Sequence, residues 1–352
     1  MRKFLLLFVI SIFGLSCFAQ EVLTWSDEFE GTGVPDPNKW SYDLGAGGWG
    51  NQEIQTYTNS YQNCRQENGI LLIDALKYGS SWTSARIITN NKWEFKYGRV
   101  VFRAKLPVGA GTWPALWMLG ENFASWGWPA CGEIDIMEFV GKNPGVVHSS
   151  VQTPSSYGAT INTKVQSLST CSSEFHTYQL NWTYSKLEFS IDSVWFYTYS
   201  PPIRNKSTWP FDKPFFLIMN IAMGGTWGSD VRYETGGIKN GIDPALTSAR
   251  MEVDYVRVYQ YPAAIDDSHG QDGKGNLEKP LFFPNPSDGK IGLKTPSSKT
   301  ADCTIYNIMG ADVFHFQSNG NENIDVSFLP KGLYFLSINS DGKTTTQKLV
   351  LK

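Results

Sequence analysis

The sequence predicts an all-β protein: a β-sandwich of the jelly-roll type, followed by a small C-terminal β-sandwich. Three observations carry that expectation. Apolar and polar residues alternate along extended runs, which is the period of a half-buried strand. Gly and Pro, 33 and 18 of the 352 residues, punctuate those runs, and no long stretch has apolar residues at helical spacing. All 13 Trp lie between Trp25 and Trp227, so a large body ends before a tail of different composition. With 41% hydrophobic and 18% charged residues, the chain can bury a sizeable core, which argues against general disorder. A formal net charge of -3 offers no electrostatic footprint for nucleic acid. There is no internal repeat, which argues against a propeller.

In chain order, residues 1–19 (MRKFLLLFVISIFGLSCFA) read as a signal peptide. Arg2 and Lys3 form the positive end, an apolar run follows, and Cys17 and Ala19 give small residues before Gln20. The run is short for a membrane span, and no other stretch could cross a bilayer, so the protein is expected to be exported. One large β domain is expected over 20–262. Within it Gly98–Leu106 places Val100, Phe102, Ala104 and Leu106 on one face, and Arg99, Val101, Arg103 and Lys105 on the other. Lys186–Asp192 and Met251–Tyr259 alternate in the same way. Residues 263–279, with Gly, Asp and Lys but no aromatic, read as a linker. Residues 280–352 carry short apolar runs separated by turn residues (Thr304–Ile308, Val313–Phe316, Gly332–Ile338, Lys348–Leu351).

The four His are scattered and no C-x-x-C pair exists, which disfavours a His/Cys zinc site. Export permits disulfides, but Cys64, Cys131, Cys171 and Cys303 are too sparse to define a framework.

The sharpest chemical feature is Gly132-Glu-Ile-Asp-Ile-Met-Glu138. In a regular strand Glu133 and Asp135 share a face and Glu138 points away. One extra residue near Ile136-Met137, a bulge, would put all three acids on one face and the apolar residues in the core. Cleavage of a glycosidic bond by a retaining route needs two carboxyl groups about 5–5.5 Å apart, one ionised and one protonated. Four strand steps of roughly 3.3 Å separate the two Glu backbones by about 13 Å, a span that two long side chains can lean across. A third carboxylate between them helps to split their pKa values. A solvated strand face or a metal site is the competing reading. The flanking Trp113, Trp117, Trp126 and Trp128 favour a sugar cleft, because flat apolar rings stack on sugars.

GEIDIMEFVG resembles the active-site strand of glycoside hydrolase family 16, in its laminarinase-like branch. GWGNQEIQTYT (Gly48–Thr58), GTWPALWML (Gly111–Leu119), FDKPFFLIMNIAMGGTWG (Phe211–Gly228) and MEVDYVRVYQ (Met251–Gln260) resemble that branch in the same order. The resemblance covers about residues 22–261 and implies a concanavalin-like jelly roll and a retaining mechanism. It implies Glu133 as nucleophile, Asp135 as its support, and Glu138 as general acid and then base. Asn51 and Arg86 would contact sugar on the non-reducing side. Trp113 would stack on the sugar and Trp117 line the cleft, with Asn220 and Trp227 in its floor and wall. Gln152 stands where the family often has His, with His148 four residues earlier. A Gln can hydrogen-bond but cannot titrate near pH 7. No cofactor is implied for the chemistry. A structural calcium ion is implied at Glu28 and Gly69, through backbone oxygen, and at the Asp254 side chain, oxygen ligands that suit a hard cation.

The GWGNQEIQ motif favours β-1,3-glucan of the laminarin type as substrate, with mixed-linkage β-1,3-1,4-glucan as an alternative. Between Gly111 and Lys142 the one basic residue is Lys142, which favours a neutral glucan over a sulfated one. A non-hydrolytic, lectin-like glucan binder on the same fold is the rival class. The Glu133/Glu138 pair, for which a binder has no use, argues against it. The tail motifs Phe282–Pro286, Cys303–Gly310, Leu329–Phe335 and Gln347–Lys352 resemble the sorting domain of the type IX secretion system of Bacteroidetes. That implies contact with outer-membrane secretion machinery and a secreted or cell-surface protein, exported through a Gram-negative periplasm and expected to act as a monomer. A small carbohydrate-binding module is the alternative for this tail, but it has no Trp, and its aromatics (Phe282, Phe283, Tyr306, Phe314, Phe316, Phe328, Tyr334, Phe335) mostly read as core.

Overall fold

A computed structural model describes residues 21–260, 281–294, 300–307, 312–319, 321–340 and 343–352. The expected signal peptide (1–19) and linker (263–279) lie outside the described residues. Leu23–Gln260 forms one compact unit, and the described residues from Leu281 onward belong to a second.

The large unit is two stacked sheets. The front sheet has seven strands, in the spatial order Thr163–Ser167, Val146–Gln152, Glu133–Phe139, Thr112–Gly120, Phe215–Met223, Arg86–Ile88 and Ser41–Tyr42. The back sheet has ten. Its path runs Val194–Tyr199, Leu187–Ile191, His176–Trp182, Gly98–Lys105, Ser248–Gln260, Ile70–Tyr78, Ser81–Ser84 and Gln55–Tyr57. Val22–Asp27 and Cys64–Glu67 pair alongside that path. Spatial neighbours are often far apart in sequence, as in the jelly-roll arrangement the alternation predicts.

Side-chain parity builds the core. From the back sheet Val100, Phe102 and Ala104 point inward, as do Met251, Val253, Val256 and Val258. From the front sheet Leu116, Met118, Ile134, Ile136, Met137, Phe139, Leu217 and Met219 meet them. Each fully buried Leu, Ile, Val, Met or Phe side chain stabilises the fold by about 1.5–3 kcal/mol relative to exposure. Arg103 and Lys105, on the outer face, form ion pairs with Asp254 and Glu252. Phe215–Met223 is buried at every position, which explains its unbroken apolar run FFLIMNIAM. Its inward residues enter the main core, while Phe216 and Ile218 join a separate cluster with Leu119 and Cys131 on the opposite face.

The bulge is present in the register. Against Thr112–Gly120, Asp135 pairs with Trp117 and Met137 with Leu116, so one residue is extra on the acidic strand. Against Val146–Gln152, Asp135 faces Ser150 and Glu138 faces His148, with the same surplus. Ile136 and Met137 both enter the core. This puts Glu138 back on the face of Glu133 and Asp135.

In the small unit, Asp312–Ser318, Ala301–Asn307, Gly332–Ser340 and Lys343–Leu351 form a four-stranded sheet. Leu281–Phe283, Lys290–Lys294 and Asn321–Asp325 form a three-stranded sheet that the apolar runs did not reveal. Ile291, Leu293, Cys303, Ile305, Leu336, Ile338 and Leu349 pack between them. Phe282 and Tyr334 are buried as expected. Phe328 is not: it is 60% exposed, with its ring set edge-on to Phe314. Cys64, Cys131, Cys171 and Cys303 are all free and buried.

Candidate active site

The outer face of the front sheet carries the three acids along one strand. Glu133 is flanked by Leu119 and Gln152, Asp135 by Trp117 and Ser150, and Glu138 by Ala115 and His148. Each carboxyl accepts a hydrogen bond from a different side chain. Trp128 Nε1 donates to Glu133 Oε2 at 3.0 Å. Gln152 Nε2 donates to Asp135 Oδ2 at 3.2 Å. Trp113 Nε1 donates to Glu138 Oε1 at 3.1 Å.

Burial raises all three carboxyls above the ordinary range, and their mutual repulsion adds to it. Glu133 reaches about 8, driven by burial and by the charge of Glu138. Arg86, Trp128 and Asp135 oppose that rise. Asp135 and Glu138 are pushed well up, chiefly by burial. The surroundings of the two outer acids differ. Three contacts of Glu133, with Arg86, Trp128 and Asp135, stabilise its anion against burial, while Glu138 has only the Trp113 N–H. An anion beside a protonated acid is what a double displacement at an anomeric carbon requires.

The neighbouring strands supply the walls. Asn220 Oδ1 accepts from Trp117 Nε1 at 2.8 Å, and its Nδ2 donates to Tyr57 OH at 2.9 Å. The Arg86 guanidinium lies between the rings of Trp49 and Trp117, 4.8 Å from each centroid. Its Nε is 3.1 Å from Asp43 Oδ2. Trp227 stands edge-on to Trp113 and to His148, with centroids 5.4 and 4.8 Å apart. Burial lowers the pKa of His148, which keeps the imidazole neutral more readily. Gln152 also ties down a loop, because its Oε1 accepts from Gly158 N at 3.0 Å.

The Gly48–Ile54 loop closes one end. Asn51 Nδ2 donates to Glu53 Oε1 at 3.1 Å, and Gln55 Nε2 donates to Glu53 Oε2 at 2.7 Å. Trp49 and Gln52 hold left-handed backbone (φ 49° and 58°), a strain that clusters at functional sites. The loop meets the turn after Phe215–Met223, where Thr226 N donates to Asn51 O at 2.7 Å. Gly225 (φ 74°) allows that approach; a Cβ there would lie 3.0 Å from Asn51 O.

The structure thus brings Glu133, Asp135, Glu138, Arg86, Trp113, Trp117, Gln152, Asn220 and Trp227 into one connected face, with Asn51 at its rim through Glu53. Sequence reasoning passed over Glu53, a half-buried acid whose pKa burial raises and which organises Asn51, Gln55 and Tyr57. Its place inside GWGNQEIQ was the available signal. It also missed the contact of Trp128 with Glu133, which a loop creates and strand parity cannot show.

The expected calcium set offers backbone oxygen from Glu28 and Gly69 and the side chain of Asp254, and the Glu28 and Asp254 side chains are engaged with arginines. Glu28 is held by Arg257 through two hydrogen bonds of 3.0 and 2.7 Å. Asp254 pairs with Arg103. Gly69 lies in the turn between Cys64–Glu67 and Ile70–Tyr78. Among the described residues no group of three acids, His or Cys is placed to hold a metal.

A jelly-roll sandwich with paired carboxyls in an aromatic-walled groove defines a glycoside hydrolase. Residues 50–257 match the family model for glycosyl hydrolases family 16, and the chain belongs to that family. A beta-glucanase of Rhodothermus marinus is 44% identical over 253 residues, covering 68% of this chain and 85% of the relative. A laminarinase from Flavobacterium sp. UMI-01 superposes with a TM-score of 0.63 at 44% identity, covering 68% of this chain and all of that one. A family 16 structure described as a non-specific endo-beta-1,3(4)-glucanase gives a TM-score of 0.62 at 37% identity, over 68% of this chain and 91% of that one. Residues 281–352 match a secretion system C-terminal sorting domain. The tail is therefore a type IX sorting signal, and the protein is delivered to the cell surface or beyond it. No helix among the described residues is long and apolar enough to cross a membrane. The chemistry of the family requires no cofactor.

Proposed function

We propose that the chain hydrolyses internal β-1,3-glucosidic bonds of laminarin-type glucans with retention of configuration. The single observation that carries this is the bulge at Ile136-Met137, which sets Glu133 and Glu138 on one face with Asp135 between them. Glu133 attacks the anomeric carbon. Glu138 delivers its proton to the leaving oxygen, which departs with the bonding electrons. Glu138 then takes a proton from water, and that water displaces Glu133 from the glycosyl carbon. Asp135 hydrogen-bonds Glu133 and holds it in place. Trp113 and Trp117 line the sugar groove, Asn220 and Trp227 support it, and Asn51 and Arg86 sit toward the non-reducing end. Gln152 acts through Asp135 rather than on sugar. The laminarinase and beta-glucanase named above, both 44% identical, support the substrate class.

Mixed-linkage β-1,3-1,4-glucan is the second reading, favoured by the 37% identical structure described as acting on both.

The test is a product time course on laminarin, lichenan, agarose and carrageenan. Early oligosaccharides of mixed length from laminarin are expected, and lichenan measures linkage tolerance. Products from agarose or carrageenan alone would overturn the substrate. A folded chain that releases nothing from any of them would bring forward the glucan-binding reading.

A further inference from the structure

Most of the 13 tryptophans are buried or half-buried; Trp126, Trp128 and Trp195 are exposed. Two of those three lie on the segment that leads into the acidic strand, Trp126 closing the short helix Phe123–Trp126 and Trp128 following it. Trp126 is 47% and Trp128 43% exposed, and Tyr157, edge-on to Trp128 with centroids 5.3 Å apart, is 53% exposed. Large aromatic surface left in water is costly, and a cluster of it marks a binding surface. Beside it lies a recess of about 430 Å³ lined by Trp126, Ala130, Pro154, Lys206 and Ser207. Its walls are tied together, because Ser155 N donates to Ser207 O at 2.9 Å. Lys206 Nζ sits 5.8 Å from the Trp126 ring centroid, at the reach of a cation–π contact. An aromatic plate with one ammonium donor beside it suits a neutral, hydroxyl-rich ring.

The surface is continuous with the reaction centre, since Trp128 also donates to Glu133. The sheet order gives its side. Arg86 lies three strands away from the acidic strand on one flank, and Val146–Gln152, which leads into Tyr157, adjoins it on the other.

We propose that the recess between Trp126 and Lys206, reached past Trp128 and Tyr157, is a sugar subsite for the glucan chain on the reducing-end side of the scissile bond. This rests on the glucanase reading, in which Arg86 sits toward the non-reducing end.

The test uses the full chain with β-1,3-gluco-oligosaccharides tagged at the reducing end. In Trp126→Ala, KM is expected to rise about 3- to 10-fold, the worth of one ring stack, with the loss falling on KM more than on kcat. The tagged fragments should become shorter, because substrate slides toward the non-reducing subsites. Trp126→Phe should restore most of both effects. Ala130→Trp, which fills the recess, should shorten the tagged fragments as well. An unaltered fragment pattern in both Trp126→Ala and Ala130→Trp would overturn the subsite while leaving the glucanase reading intact. Failure of the unsubstituted chain to cut these oligosaccharides would overturn both.

Discussion

Trp113 donates its indole N–H to Glu138 at 3.1 Å, from the strand next to the acid. That bond is the one local contact that favours the Glu138 anion against burial and the charge of Asp135. Trp113→Phe keeps an aromatic face and removes the donor. The Glu138 pKa should then rise, and the basic limb of the kcat/KM profile should move to higher pH. A hydrogen bond of about 1 kcal/mol corresponds to roughly 0.7 of a pH unit. A limb that stays fixed or moves down would contradict the assignment of Glu138 as the acid.

The two outer acids should be separable chemically. Glu133→Ala and Glu138→Ala should each lose at least about 10²–10⁴-fold in turnover of laminarin while keeping the fold, checked by circular dichroism. Azide should rescue Glu133→Ala, on a donor with an activated leaving group, and yield a glycosyl azide of inverted configuration, whereas in Glu138→Ala azide attacks the glycosyl-enzyme and the azide product retains configuration. Rescue of neither variant would weaken the nucleophile assignment.

Charge at Glu133 should also be visible in stability. Its pKa rises from 4.5 to about 8 on folding, mainly through burial. The folded state therefore binds the proton more tightly, and this group's contribution to stability is fully present below about pH 4.5 and lost as the pH climbs through 8. Glu133→Gln removes the titration. Its Tm relative to the unsubstituted protein should increase steadily between pH 5 and pH 8. A difference that does not change with pH would show that Glu133 is not a strained carboxyl.

Gln152 joins Asp135 to the loop at Gly158. Gln152→Leu leaves Gly158 N without its acceptor and removes the one hydrogen bond that lowers the Asp135 pKa. A lost buried partner costs about 1–3 kcal/mol, or a Tm fall of roughly 2–10 °C in a domain of this size. Thermal unfolding measures this directly; a Tm within about 1 °C of the original would mean the bond contributes little.

Much of this was legible because strand chemistry is periodic. The alternation in Gly98–Lys105 and in Ser248–Gln260 announces its own buried face. The E-x-D-x-x-E spacing demands a bulge once all three acids are required on one side. What escaped depends on loops and on pairing partners far away in sequence. Glu53 reads as one polar residue among many until Asn51, Gln55 and Tyr57 close around it. Trp128 meets Glu133 only because its loop folds back over the sheet. The calcium expectation used the Asp254 side chain, which pairs with Arg103, and no local pattern announces that partner.

The bulge predicts opposite effects of two deletions. Removing Met137 alone leaves Glu133-Ile-Asp-Ile-Glu in strict alternation, with the three acids still on one face. Removing Ile136 and Met137 together turns Glu138 toward the core and pulls Phe139 out of it. In that double deletion activity should vanish and Tm should fall by several degrees, because a charge is buried and a large ring is exposed. Retained activity there would mean that the face shared by the three acids is not what the reaction needs.

The central claim is a double displacement by Glu133 and Glu138, and the most direct test is the anomeric form of the first product. Proton NMR of a β-1,3-gluco-oligosaccharide, recorded within minutes of adding the full chain, should show the β-anomer at the new reducing end, with the α-anomer growing in only by mutarotation. An α-anomer that appears first would mean inversion and would contradict Glu133 as the nucleophile.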